Sequence, residues 1–226
     1  EIPGDARPAL DGRWVPAPGA ELFSALAADL GGPDVVSARF IAEDLGIITP
    51  DVDALRDGLG LPGMRVLQFS FGDGDEARAR PYGYARTLVF YTSTHDNDTL
   101  ASWLRGDDVG PEGRSAGQAQ RERDNVLAYA GVAPTLPLRE QLQGLWRMAL
   151  GTVADTVILP VQDVLCLTTE ARMNFPGRPA GNWRFRLLPG QLPGVHGSGP
   201  EPAQVTPTED PAPLLRQLCR TYGRLA

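Results

Sequence analysis

The 226-residue sequence has no lysine: all 21 of its basic positions are arginine. A Schiff base, or any step that needs an ε-amine as nucleophile, is therefore excluded. Cysteine is almost as scarce, at two. Cys166 sits in the apolar run Val164-Leu165-Cys166-Leu167 and Cys219 in a helical pattern, so both read as small buried hydrophobes. No cysteine pair stands at metal-ligand or small-scaffold spacing, which points to a reduced, cytoplasmic protein. No run approaches the ~20 apolar residues of a membrane helix, and no signal peptide opens the chain. Positive charge is in deficit: the formal net charge is −7. That argues against nucleic acid or an anionic membrane as partner, because both need dense cationic patches to displace counterions. A neutral or cationic substrate fits better. What remains, 42% hydrophobic and 22% charged residues, is an ordinary globular composition with enough length to bury a sizeable core.

Along the chain, helical and strand patterns alternate. Residues 1–20 are rich in Pro and Gly and read as loop. Leu22, Phe23, Leu26, Ala27 and Leu30 have helical spacing, and Gly31-Gly32 ends that helix. Val35 to Ile41 reads as a strand ending in Ala42-Glu43-Asp44-Leu45-Gly46. Side chains alternate along a strand, so Glu43 and Asp44 should not both face one cavity. Thr49-Pro50-Asp51 opens a second helix, with Asp51 and Asp53 beside its positive end, so the D-x-D needs no metal to explain it. Met64 to Phe71 reads as the next buried strand and leads into the acidic Gly72-Asp73-Gly74-Asp75. Leu88 to Tyr91 is another. Residues 100–155 are mainly helical with a Gly-rich break at 106–117, and Leu142, Leu145, Trp146, Ala149 and Leu150 form one apolar stripe. Thr156 to Val161 reads as a final strand ending in Gln162-Asp163. Strands alternating with helices imply right-handed crossovers and a parallel sheet, either a (β/α) barrel or an open doubly wound sheet.

The most polar strand end is Thr94-His95-Asp96-Asn97-Asp98-Thr99. In α/β barrels the loops after the strands converge on one mouth, where chemistry is done. The same letters also suit a solvated Asx turn with a helix N-cap at Asp98 or Thr99. Two carboxylates at the ends of different strands, Glu43 and Asp96, are the minimum for glycosidic chemistry: one protonates the leaving oxygen, and the other stays ionised to stabilise positive charge at the anomeric carbon. His95 could donate to a sugar hydroxyl. No nucleophile and base competes for that role, since His196 lies in a Pro/Gly-rich stretch and His95 has no Gly-framed nucleophile beside it. A metal centre in the His95-Asp96-Asn97-Asp98 run is disfavoured because it holds only one histidine and no second ligand cluster pairs with it. Residues 172–188 mix turn formers with amide, guanidinium and aromatic groups, a composition that suits either sugar stacking or pinning a loop.

Ile41 to Pro50, Gly60 to Phe69, Tyr91 to Thr99, Pro160 to Leu165 and Arg172 to Leu188 together resemble the 4-α-glucanotransferases of glycoside hydrolase family 77, the amylomaltases or disproportionating enzymes. The likeness runs in order from Glu1 to about Leu188. It implies the C-terminal part of a (β/α)₈ TIM barrel, about its last four strands with helical insertions, over residues 1–188. A Pro/Gly-rich linker at 189–213 and an amphipathic helix at 214–226 docking on the barrel complete the expected organisation. The implied activity is retaining transfer of α-1,4-glucan segments among malto-oligosaccharides and glucose, with no cofactor and no metal.

By motif position the resemblance makes Glu43 the general acid/base and Asp96 the carboxylate that stabilises the transition state, with His95 assisting. Phe69, Asp73 and Asn174 fall where the family contacts glucose units. The family's nucleophilic Asp would lie upstream of Glu1. The chain also opens without an initiator Met in Ile2-Pro3-Gly4-Asp5, so a fragment that lacks the nucleophile, and that is unstable by itself for want of the rest of its sheet, is the expectation. An α-glucan hydrolase and a non-catalytic α-glucan-binding remnant are the competing readings.

Overall fold

The computed structural model describes residues 2, 12–13, 15–72, 80–111, 113–187, 191 and 210–224. The chain divides after Gly63 into two compact units.

The first unit holds α1 (Gly19–Leu30), α2 (Pro33–Arg39) and α3 (Pro50–Gly58). Gly31 ends α1 in the left-handed region at φ 102°, and the N–H groups of Gly31 and Gly32 both return to the Ala27 carbonyl. A side chain is strained in that conformation, so the Gly-Gly pair lets the chain reverse. The stretch expected as a strand, Val35 to Ile41, is instead α2 followed by extended chain. Pro33 at the first helical turn, Asp34 near the positive end and Arg39 near the negative end outweigh the β-preference of Val35-Val36. Val36 is then buried, and Phe40 meets Phe23 of α1 edge-on with ring centroids 6.0 Å apart. Thr49 precedes α3 as expected, but its hydroxyl makes no capping bond. It binds the Asp51 carboxylate instead, which together with backbone N–H groups holds that acid below its usual range.

The second unit is an α/β fold around a small sheet of order β1-β2-β3, made of β1 (Gly63–Val66), β2 (Leu88–Tyr91) and β3 (Thr156–Ile158). β2 and β3 are parallel, with Phe90 opposite Val157. Two strands are shorter than their apolar runs. The run expected from Met64 to Phe71 leaves the sheet at Val66 and turns through a single 3₁₀ turn at Leu67–Phe69. Ser70 closes that turn by donating to the Val66 carbonyl and pairing with the Tyr84 hydroxyl at 2.7 Å. The run expected from Thr156 to Val161 stops at Ile158, and Pro160 starts a short helix, α7 (Val161–Val164). Proline cannot donate to a ladder, and its fixed φ suits a helix start.

Between β2 and β3 run α4 (Leu100–Arg105), α5 (Ala116–Ala130) and α6 (Leu138–Leu150). The Thr99 hydroxyl accepts the Ser102 N–H at the start of α4, and Ser115 accepts the Gln118 N–H at the start of α5. The stripe on α6 is the centre of the core: Leu142, Leu145, Trp146 and Ala149 are wholly buried, packed with Phe90, Leu100 and Leu104. Each such leucine contributes about 1.5–3 kcal/mol of burial. α8 (Ala212–Thr221) packs on α6 through Leu218. Cys166 and Cys219 are half-buried at the core's edge, less enclosed than their apolar neighbours suggest. Among the described residues no helix is long and apolar enough to cross a membrane. Most of the expected linker, with His196, lies outside the described residues.

Candidate functional site

In the first unit the adjacent carboxylates part company. Asp44 is buried and accepts from the Arg56 guanidinium at 2.6 Å, while Glu43 is exposed. Arg56 also meets Asp53 and Asp57 at 2.8 Å. Burial works against its charge, but these acids together hold its pKa above the ordinary value. Gly63 makes room for the pair, since a Cβ there would lie 2.6 Å from an Asp44 oxygen. Asp44 is thus committed to an ion pair, and Glu43 is the carboxylate of the two left facing solvent.

In the second unit, the parallel pairing brings the C-terminal ends of β2 and β3 to one edge of the sheet. Phe69 ends the 3₁₀ turn that follows β1 and is exposed. Asp73 lies outside the described residues. After β2 the chain buries Thr92 and Ser93 and then surfaces at His95 and Asp96. Asn97 braces the turn by accepting from the Thr94 amide at 3.1 Å and the Thr94 hydroxyl at 2.7 Å. Asp98 turns inward, accepting from the Thr99 amide and from the Thr169 hydroxyl, both at 2.8 Å. Burial pushes its pKa up, and those two donors oppose the shift. The Asx-turn and N-cap features read from the sequence are therefore present together with an exposed, polar loop.

Asn174 reaches this loop from the late segment. Its Nδ2 donates to Asp96 Oδ1 at 2.5 Å and its backbone N–H to the His95 carbonyl at 3.0 Å. Arg172 donates to the Asp96 carbonyl at 2.5 Å and to the Asn174 carbonyl at 2.8 Å, with its guanidinium 4.4 Å from the centre of the Phe175 ring. Burial lowers the pKa of Arg172, and the neighbouring Asp98 and Asp96 carboxylates oppose the shift. Arg178 lies 4.3 Å from the same ring. His95 Nε2 stands 3.5 Å from Asp96 Oδ1, too far for a strong hydrogen bond. The imidazole stacks against Trp183, with centroids 5.1 Å apart. Trp183 is half exposed and holds φ 62°, with its N–H on the Met173 carbonyl. Asn182 pins the same turn by accepting the Phe175 amide and donating to the Arg178 carbonyl.

Ser93, Thr94, His95, Asn97, Gln162 and Arg172 are among the residues lining a cleft of about 140 Å³. Beneath it, wholly buried Asp163 accepts from the hydroxyls of Thr92 and Ser93 and from the Leu100 amide, at 2.6–2.7 Å. Burial drives its pKa upward against those three donors. Cys166 has its thiol pKa raised by burial and offers no activated nucleophile. Among the described residues, no group of three or more His, Cys, Asp or Glu side chains is placed to hold a metal.

Sequence reasoning brought His95, Asp96 and Asn174 forward, and the fold puts all three in direct contact. It missed the individual roles of Arg172, Trp183 and Asp163. Arg172 and Trp183 were visible only as members of a mixed loop. Asp163 was visible only as a polar residue after a strand, with nothing to say that it is buried.

The family model described as 4-alpha-glucanotransferase matches residues 1–191. A 4-alpha-glucanotransferase of Thermus thermophilus is 45% identical over 203 residues, covering 88% of this chain and 37% of that protein. The chloroplastic/amyloplastic 4-alpha-glucanotransferase of Solanum tuberosum is 37% identical over 224 residues, 99% of this chain and 34% of that protein. The chain thus spans about a third of the length of these relatives. Among solved structures, the amylomaltase from Streptococcus agalactiae in complex with acarbose matches with a TM-score of 0.75 and 29% identity, covering 98% of this chain and 38% of that one.

Proposed function

The chain belongs to the 4-alpha-glucanotransferase family, and from that premise we propose that it carries the acid/base half of a site for retaining transfer of α-1,4-glucan segments among malto-oligosaccharides and glucose. The observation that carries the reading is Asp96: a solvent-accessible carboxylate at the C-terminal end of a buried parallel strand, braced by Asn174 and flanked by His95. The sheet is then part of a (β/α)₈ barrel, whose strand ends converge on one mouth.

Glu43 is the general acid/base. It gives its proton to the leaving glycosidic oxygen as a carboxylate nucleophile, expected upstream of Glu1, attacks the anomeric carbon from the opposite face. It then takes the proton of the incoming sugar 4-hydroxyl as that oxygen displaces the nucleophile. Two inversions leave the configuration unchanged, and the geometry requires the two carboxyl groups about 5–5.5 Å apart. Asp96 stays ionised and accepts from sugar hydroxyls as positive charge develops on the ring, and His95 donates beside it. Phe69, Asp73 and Asn174 contact neighbouring glucose units. Neither cofactor nor metal takes part, and the setting is the cytoplasm.

The test uses the longest native polypeptide carrying this chain, incubated with maltotriose. Glucose plus longer oligosaccharides is the expected product set, and Glu43→Gln abolishes it. A rise in total reducing ends without longer products identifies a hydrolase. Sugar-dependent stabilisation with no product identifies a binding remnant, and near-normal turnover by Glu43→Gln removes Glu43 from its role.

A further inference from the structure

The loop that carries His95 and Asp96 is held at both of its ends by one side chain from elsewhere in the chain. Asp163 Oδ2 accepts from Thr92 and Ser93 where the chain leaves β2, and Asp163 Oδ1 accepts the Leu100 amide where the chain enters α4. The intervening residues, Thr94 to Thr99, bear the exposed polar groups. Asp163 is 70 residues from Ser93 in sequence and has no surface of its own. Its position is fixed by the short helix that Pro160 starts, where its N–H also bonds the Pro160 carbonyl.

The chemistry selects a carboxylate. Three donors converge on it, and an ionised carboxyl accepts all three, whereas an amide has one accepting oxygen and two N–H groups that would face the same donors. Among the described residues no cation forms an ion pair with Asp163, so its burial is offset by hydrogen bonds, and removing one would leave an unsatisfied buried group. A packing role could be filled by an apolar residue of similar size. A carboxylate at this point instead determines where two chain segments sit relative to each other.

We propose that Asp163 is a positioning residue for the reaction: ionised and buried, it staples the end of β2 to the start of α4 and so sets where Asp96 and His95 stand against the sugar. It touches no substrate and acts through Ser93, which lines the cleft. The inference rests on the transferase reading for its kinetic consequence, but its structural content stands separately.

Two variants, Asp163→Asn and Ser93→Ala, are made in the longest native polypeptide and assayed with maltotriose well below their melting temperatures. Displacing a reacting group by ~1 Å costs on the order of 100-fold, so kcat falls about that far in Asp163→Asn and about 10-fold in Ser93→Ala, while KM moves less than either. The losses are strongly non-additive in the double variant, because both break one staple. In parallel, the backbone amide resonances of His95, Asp96 and Asn97 shift in Ser93→Ala. A kcat within about two-fold of the parent in either folded variant overturns the proposal. If Asp163→Asn does not fold, Ser93→Ala decides. If the parent itself transfers no glucan, it is the functional reading that fails, and the amide shifts then decide the staple: unmoved resonances overturn it.

Discussion

Asn174 Nδ2 donates to Asp96 Oδ1 at 2.5 Å across 78 residues of sequence. A neutral amide satisfies one carboxylate oxygen without adding charge, which under the proposed transferase reading fixes Asp96 in place beside the sugar. Asn174→Ala removes that donor. Because Asp96 is half exposed, the loss is at the lower end for a charged hydrogen bond, about ten-fold in kcat/KM on maltotriose. Asn174→Asp is worse for a separate reason. Two carboxylates in contact cannot both ionise freely, so the acidic limb of the kcat/KM profile moves to higher pH. A profile superimposable on that of the parent would show that the contact does not govern Asp96.

The Thr169 hydroxyl is one of two donors resisting the upward pull of burial on Asp98. Thr169→Val removes a group that favours the charged form, so the Asp98 pKa rises further, a change that carboxyl NMR titration reads directly. The sign for stability follows. An acid whose folded pKa stands above its unfolded value contributes most below the unfolded value, near 3.8, and loses that contribution as pH rises through the folded pKa. Thr169→Val therefore loses more stability at neutral pH than at pH 4, measured by denaturant unfolding at both.

Trp183 holds a left-handed φ of 62° while stacking on His95. Ring and backbone can be separated by comparing two substitutions. Trp183→Ala and Trp183→Gly lose the same stacking, but alanine keeps the strain and glycine releases it, so the glycine variant is more stable by about 1 kcal/mol. Thermal melts of the two check this. An alanine variant as stable as the glycine one would mean that the turn relaxes once the ring is gone.

Arg224 ties the chain end to the far end of α6. Its guanidinium donates to the carbonyls of Leu150 at 3.0 Å, Thr152 at 2.6 Å and Ala154 at 2.5 Å, groups that no helical turn satisfies. Arg224→Ala costs about 2 kcal/mol, which lowers Tm by roughly 4–8 °C in a protein of this size. Arg224→Lys restores less than half, because an ammonium cannot fork to several carbonyls at once. Hydrogen exchange at residues 150–155 accelerates in both variants.

Much of this was legible from the sequence because it depends on neighbours in the chain. Periodicity located α1 and the α6 stripe, the start signal Thr49-Pro50-Asp51 located α3, and the apolar run Leu88 to Tyr91 is a strand over those very residues. The Thr99 cap and the Asn97-braced turn follow from what hydroxyls and amides do to adjacent backbone. The polar groups at the end of β2 stood out as a candidate site because an amide, an imidazole and carboxylates follow a buried strand directly, although the same letters also suit an Asx turn and helix cap. Where local signals conflict, the chain alone misled: Val35-Val36 favours a strand, but Pro33 and the packing of Phe40 on Phe23 make a helix.

What only the tertiary structure decided is which distant residues complete the loop. Asn174, Arg172 and Trp183 close over His95 and Asp96, and Asp163 holds the loop from beneath, each between 63 and 88 positions away. The two neighbouring acids Glu43 and Asp44 are chemically near-equivalent as letters. Burial and a 2.6 Å contact with Arg56 commit one to an ion pair and leave the other in solvent. Hydrogen-bond partnership and desolvation are properties of where a group lies in space, so composition and spacing could nominate the carboxylates but not assign their environments.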